Sequence, residues 1–207
     1  MSNFIKKLNI FLTLTLLSSF VLSPLASAQT IKLSDPAFTT NSNDTSKQWA
    51  LPKAKFIDAW QKTTGSAAVV IAVIDTGIDF THADLQRVTP LAGYDFINDQ
   101  PIAAKANSDN NGHGTVIAGI IGGTPNNAIG ISGALWDVAL MPIKALDGLG
   151  EGNSDDIAAA IIWATDHGAH IINLSIGGVG FQHDTNLSNA ITYAFRRNVV
   201  IVAAVGN

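Results

Sequence analysis

Val69-Val70-Ile71-Ala72-Val73-Ile74-Asp75-Thr76-Gly77-Ile78-Asp79 is the stretch whose reading decides the fold. Six apolar residues, most of them β-branched, run unbroken into a carboxylate, and a turn glycine follows two positions later. A run without alternation predicts a strand buried on both faces, in the middle of a parallel sheet. Asp75 then falls at the C-terminal end of that strand, where open α/β sheets carry their chemistry. Taken alone, the stretch also reads as a strand whose Asp merely caps the next turn. A second segment downstream favours the chemical reading.

That segment is Asn111-Gly112-His113-Gly114-Thr115-Val116-Ile117-Ala118-Gly119. His113 stands between two glycines, and Val116, Ile117, Ile120 and Ile121 follow at helical spacing, so His113 is expected to open a buried helix. The Asp-Thr-Gly-Ile-Asp run at 75–79 and the His113 segment closely resemble the Asp and His motifs of the subtilisin-like serine peptidases. The final stretch, Ile201-Val202-Ala203-Ala204-Val205-Gly206-Asn207, resembles the strand that delivers that family's oxyanion-hole asparagine. The three motifs occur in the family's order, and the resemblance covers roughly residues 47 to 207.

Composition agrees with a secreted globular enzyme. Apolar residues make up 47% and charged residues 14% of the 207, which excludes a disordered chain and leaves room for one domain with a real core. The formal charge of −4 comes without a basic cluster, so nucleic acid is not an expected partner. Residues 1 to 28 read as a signal peptide: Lys6 and Lys7, an apolar centre from Leu8 to Leu22, and the small-residue site Ala26-Ser27-Ala28. An uncleaved anchor is the competing reading. Cleavage leaves no membrane association and takes the charge from −4 to −6. With no cysteine, export here brings no disulfides.

Residues 29 to 47, rich in Thr, Ser, Asn and Asp, are expected to form a mobile polar N-terminal segment ahead of a partial peptidase domain at 48 to 207. Phe56, Ile57, Ala59 and Trp60 predict a short helix docked on the core. Val138 to Ala145 predicts the next buried strand, and Gly148-Leu149-Gly150-Glu151-Gly152 an extended glycine-rich segment. A helix follows, capped by Asn153 or Ser154, with Asp155 and Asp156 on its positive end and Ile157, Ala160, Ile161 and Ala164 as its core stripe. A last helix places Leu187, Ile191, Ala194 and Phe195 on one face. Strand alternating with helix indicates an α/β, doubly wound and mostly parallel sheet.

The resemblance implies the rest. His113 is the general base and then the acid, Asp75 fixes the ring tautomer, and the Asn207 amide donates to the developing oxyanion. Gly150 and Gly152 pair with substrate backbone, while Ser175, Ile176 and Gly177 wall the pocket beside the cleaved bond. Asp84, the Asn127 side chain and the carbonyls of Ile129 and Ile131 match a structural calcium site; oxygen donors of this kind suit a hard cation. An ion-free turn is the alternative for that loop. No organic cofactor is implied, the partners are polypeptide substrates, and oligomeric state is not legible.

The family's nucleophile, a serine in a Gly-Thr-Ser motif, is not found. Gly114-Thr115 continues to Val116, and Gly123-Thr124 to Pro125. The chain is therefore expected to be a fragment of a subtilisin-like domain, truncated after the asparagine strand, with the serine beyond residue 207. Other classes fit worse. A metal phosphoesterase wants an Asp-x-His pair and a later Asn-His-Asp, and a nucleotide-binding domain wants a third glycine where Ile117 stands. A catalytically inactive relative that binds peptides remains the alternative.

Overall fold

The computed structural model describes residues 31–178 and 183–205. The signal-peptide reading and Asn207 lie outside the described residues. Two short helices come first, α1 (Ala50–Lys53) and α2 (Phe56–Ala59), then the long strand β1 (Gly65–Asp75). A 3₁₀ turn at Ala83–Leu85 leads into β2 (Thr89–Pro90), β3 (Gly93–Asp95) and β4 (Gln100–Ile102). Helix α3 (His113–Gly122), strand β5 (Asp137–Lys144), helix α4 (Ser154–Asp166), strand β6 (Ile171–Leu174), helix α5 (Thr185–Arg196) and strand β7 (Val200–Ala203) follow.

The sheet runs β4-β3-β5-β1-β6-β7, with β2 also paired to β5. Every pairing is parallel except β3 with β4. The expected architecture is what forms, and β1 lies between β5 and β6 as its apolar run requires. Only the second half of β1 is buried, however: Gly65 to Val70 are half-buried or exposed, and burial is complete from Ala72 to Asp75.

Period-2 geometry divides the core between the two faces. Ala72 and Ile74 join Met141, Ile143, Ile172 and Leu174 beneath α4 and α5. Ile71 and Val73 join Val138, Leu140 and Ala118 on the α3 side. The α4 stripe of Ile157, Ala160, Ile161 and Ala164 is buried as predicted, and Asn153 caps the helix by accepting from Asp156 N–H. In α5 the inward face is Leu187, Ala190 and Ala194; Phe195, expected inside, is 76% exposed. Ile191, expected on the same face, is 40% exposed.

The N-terminal stretch corrects a second expectation. Residues 31–48 are fastened to the loop at 124–132. Asp35 is 4% exposed, and its carboxylate accepts from the backbone N–H groups of Asn126 (3.0 Å) and Asn127 (3.1 Å). Gln48 exchanges two amide hydrogen bonds with Ser132, at 2.8 and 2.9 Å. Phe38 packs on Trp60, whose indole N–H reaches Ala134 O and whose ring lies 5.1 Å from Trp136. Polar composition suggested mobility because these anchors are hydrogen bonds, which leave no hydrophobic period.

Replacing Asp35 by Ala removes both hydrogen bonds to the Asn126 and Asn127 N–H groups, at about 0.5 to 1.5 kcal/mol each. The expected result is a melting temperature lower by several degrees, at about 2–4 °C per kcal/mol for a chain of this size. Asp35→Asn, which keeps one acceptor oxygen, falls between the two.

Candidate active site

Asp75 is fully buried at the end of β1. Its carboxylate meets His113 Nδ1 at 2.8 Å through Oδ1 and 2.9 Å through Oδ2. Oδ1 also accepts from Thr76 N–H at 2.7 Å. The His113 side chain is 47% exposed, and Nε2 makes no hydrogen bond among the described residues. With Nδ1 engaged by a carboxylate, the proton of the neutral ring sits on Nδ1 and the Nε2 lone pair faces outward. That is the arrangement of a general base.

Two glycines allow the contact. A Cβ on Gly114, in the first turn of α3, would lie 2.1 Å from Gly77 O and 3.2 Å from Asp75 itself. Gly77 takes φ of +107°, and a Cβ there would meet Ser108 O at 2.4 Å. Helix start and strand end are thus pressed closer than any side chain permits.

Thr76 and Asp109 lock this approach. Thr76 Oγ1 donates to Asp109 Oδ1 at 2.8 Å and accepts from Gly114 N–H at 3.0 Å. Asp109 further accepts from the N–H groups of Asn111 and Gly112 and from both the N–H and hydroxyl of Thr115. Thr115 in turn accepts from Asp79 N–H. The sequence analysis did not single out Asp109; the signal available was its place four residues before His113.

Burial opposes the Asp109 charge, but the bonds from Thr115, Gly112, Asn111 and Thr76 outweigh it and hold the carboxyl below its ordinary value. A depressed carboxyl stabilises the fold above the unfolded-state value, about 3.9, and that contribution fades as pH falls through the lower folded value. In Asp109→Asn that acid dependence disappears. Melting temperatures of the two proteins are therefore expected to differ most at neutral pH and to converge as pH falls through the lowered folded value.

The remaining expected site residues divide. Ser175 follows β6 and accepts from Asn173 Nδ2 at 3.0 Å, and Ile176 packs on the core below it. Among the described residues, a Cβ on Gly177 would meet nothing within 4 Å. The segment with Gly150 and Gly152 is not extended. Asp147 accepts from Leu149 and Glu151 N–H, its own N–H reaches Glu151 O at 2.8 Å, and the loop closes into a turn with Gly150 at φ +81°. An Asx turn at Asp147 overrides the extension that glycine spacing suggested. The loop nevertheless lies beside the His113 segment, because Asn111 Nδ2 donates to Gly148 O at 3.1 Å.

At the other end of the sheet, Asp84 is 4% exposed and accepts from Asn127 Nδ2 (2.7 Å) and Ile131 N–H (2.9 Å). Asn127 Oδ1 accepts from Ile129 N–H. The four residues proposed as ion ligands are thus brought together. His82 caps the 3₁₀ turn by accepting from Asp84 N–H, a structural role. Among the described residues no basic side chain pairs with Asp84, and no group of three or more His, Asp or Glu side chains gathers. In this structure Asp84 and Asn127 Oδ1 are met by N–H groups, and the expected donor types, a carboxylate, an amide oxygen and carbonyls, are those a hard cation takes.

Comparison with known proteins agrees with this geometry. The subtilase family model matches residues 66–207. A thermophilic serine proteinase from Bacillus sp. (strain AK1) is 45% identical over 159 residues, covering 75% of this chain and 37% of that protein. Thermitase from Thermoactinomyces vulgaris is 36% identical over 174 residues, 84% of this chain and 57% of that protein. The crystal structure of fervidolysin from Fervidobacterium pennivorans superposes with a TM-score of 0.63 at 37% identity, covering 72% of this chain and 23% of that one. The chain therefore spans between about a quarter and just over half the length of these relatives. With the Asp75 and His113 motifs brought into contact and the family model matched over residues 66–207, the chain belongs to the subtilase family.

Proposed function

We propose that the protein is a secreted serine endopeptidase that hydrolyses polypeptides through an Asp-His-Ser triad, with Asp75 and His113 supplying two members and a serine beyond residue 207 the third. The observation that carries this reading is the buried Asp75 carboxylate on His113 Nδ1, with Nε2 turned outward. His113 takes the proton of the attacking hydroxyl and then returns it to the leaving amine. Asp75 keeps the tautomer and stabilises the imidazolium that forms between the two steps. Asn207 donates to the tetrahedral oxyanion, and Ser175, Ile176 and Gly177 line the substrate pocket with Gly150 and Gly152 on its other side. Relatives named as serine proteinases and as an extracellular protease support the class and the export. They do not favour an inactive peptide binder. No helix among the described residues is long and apolar enough to cross a membrane.

The outer face of α3 supports a serine-bearing segment after residue 207. Val116 and Ile120 are 59% and 53% exposed, where the helical period predicted burial. A further helix carrying the nucleophile would lie beside His113 and cover them.

Casein hydrolysis by the protein with its complete catalytic domain tests the assignment. His113→Ala is expected to lose about 10⁶ in kcat, the loss found for the same removal in subtilisin, a member of this family. Equal activity in the two proteins overturns the reading.

Calcium at Asp84 and the 127–131 loop is the second part of the proposal. Bound there, the ion would replace the Asn127 donor at Asp84 and hold the loop to the 3₁₀ turn. At a hundredfold excess over Kd it adds about 2.7 kcal/mol of stability. The melting temperature is expected to rise with calcium and fall in chelator, and Asp84→Asn to abolish the difference. A melting temperature indifferent to chelator removes the ion from the site.

A further inference from the structure

Asn111-Gly112 is the one Asn-Gly pair in the 207 residues, and it stands directly before His113. An asparagine amide can cyclise onto the next peptide nitrogen, and a glycine in the second position leaves that nitrogen unobstructed. Nothing crowds it here: Gly112 takes φ of +107°, and a Cβ built on it would meet nothing within 4 Å among the described residues. Asn111 is exposed, so water reaches it.

Three bonds oppose the reaction. Gly112 N–H, the group that must lose its proton and attack, donates to Asp109 Oδ1 at 2.9 Å. Asn111 Oδ1 accepts from His113 N–H at 3.1 Å, and its Nδ2 donates to Gly148 O at 3.1 Å. The amide is thus held between the start of α3 and the 147–151 turn. Asn110 pins the same loop from the sheet side, where its Oδ1 accepts at 2.8 Å from Nζ of the buried Lys144, which also donates to Thr76 O and Leu146 O. Asp109 is a poor base for the Gly112 proton. Burial opposes its charge, but bonds from Thr115, Gly112, Asn111 and Thr76 hold its carboxyl below the ordinary value.

We propose that Asn111 is a deamidation site, gated by the bonds that position His113. When the 109–112 loop opens, Gly112 N gives up its proton and attacks Asn111 Cγ. The bond from Cγ to the side-chain nitrogen breaks, and that nitrogen leaves with the proton as ammonia. The five-membered imide then takes up one water. Opening at the side-chain carbonyl gives aspartate, which no longer donates to Gly148 O. Opening at the main-chain carbonyl gives isoaspartate, whose backbone is longer by one methylene. Gly112 N–H is then displaced from Asp109, and His113 loses the fixed start of its helix.

Mass spectrometry of a digest reads the site, and activity reads the consequence; only the second rests on the serine-peptidase reading. The protein with its complete catalytic domain is aged at mildly alkaline pH, folded or in urea, under a reversible inhibitor that suppresses self-cleavage. In urea, modification at Asn111 is expected to outpace that at Asn198, which precedes the β-branched Val199. It is also expected to run at least roughly tenfold faster than at Asn111 in the folded protein, since each net hydrogen bond shifts an opening equilibrium about two- to tenfold. Asp109→Ala is expected to raise the folded-state rate by about that factor, and the comparison in urea decides the matter if this variant does not fold. Activity of the aged protein falls in step with isoaspartate, whereas Asn111→Gln, whose larger imide closes far more slowly, keeps its own starting activity. Equal rates at Asn111 in folded and unfolded protein, or no preference over Asn198 in urea, overturn the proposal. Constant activity while isoaspartate accumulates overturns its effect on His113. Absence of peptidase activity before ageing refutes the function instead, and the masses still decide the site.

Discussion

A carboxylate with no exposed surface, Asp75, is the constraint on which the structure turns. Removing an ionised group from water costs several kcal/mol even after relaxation, so it persists only where hydrogen bonds and opposite charge converge on it. Here the Thr76 N–H and the His113 ring bind it directly, and Lys144 stands on the next strand. Each of these is a consequence of where β1 ends. A slip of one residue in the register of β1 would turn Asp75 to the opposite face, into the apolar cluster beneath α4 and α5.

The surrounding bonds spread that constraint over a long span of sequence. Thr76 uses its N–H on Asp75, its hydroxyl on Asp109 and Gly114, and its carbonyl on Lys144. A single residue beside the carboxylate thus holds the strand end, the approach to α3 and the end of β5. Networks of this kind stiffen a site because no member can shift alone. The imidazole can stay half exposed to meet a substrate while its other edge remains fixed.

What the sequence made legible, and what it hid, follows from the kind of force involved. Hydrophobic period placed β1, β5, β6 and the stripe of α4, because burial repeats at a fixed interval. Asp75 and His113 were legible through their flanking glycines, which mark a close approach of backbones. Asp35 and Lys144 were not, since a side chain that bonds to distant backbone leaves no period and no neighbour in sequence. Asp109 and the turn at 147–151 were missed because local bonds from a carboxylate to nearby N–H groups leave no hydrophobic period either. Glycine spacing allows extension, but one carboxylate accepting from two N–H groups decides against it.

Helix α3 shows the limit of periodicity most clearly. Its large residues suggested the inward face, yet Gly114, Ala118, Gly119 and Gly122 are the fully buried ones, with Ile117 and Ile121 at their flank. A Cβ on Gly122 would lie 2.7 Å from Val88 Cγ1 and 2.8 Å from Val138 Cγ1. The distance between a helix and its support is set by the side chains between them. Larger residues on this face would lift α3 off the sheet, and His113, at its first position, would lose its 2.8 Å contact with Asp75. Small residues face the sheet because the chemistry at the helix start demands a short approach along the whole helix. Val116 and Ile120 are then left on the far side by geometry, and burial alone could not have revealed which face the site required.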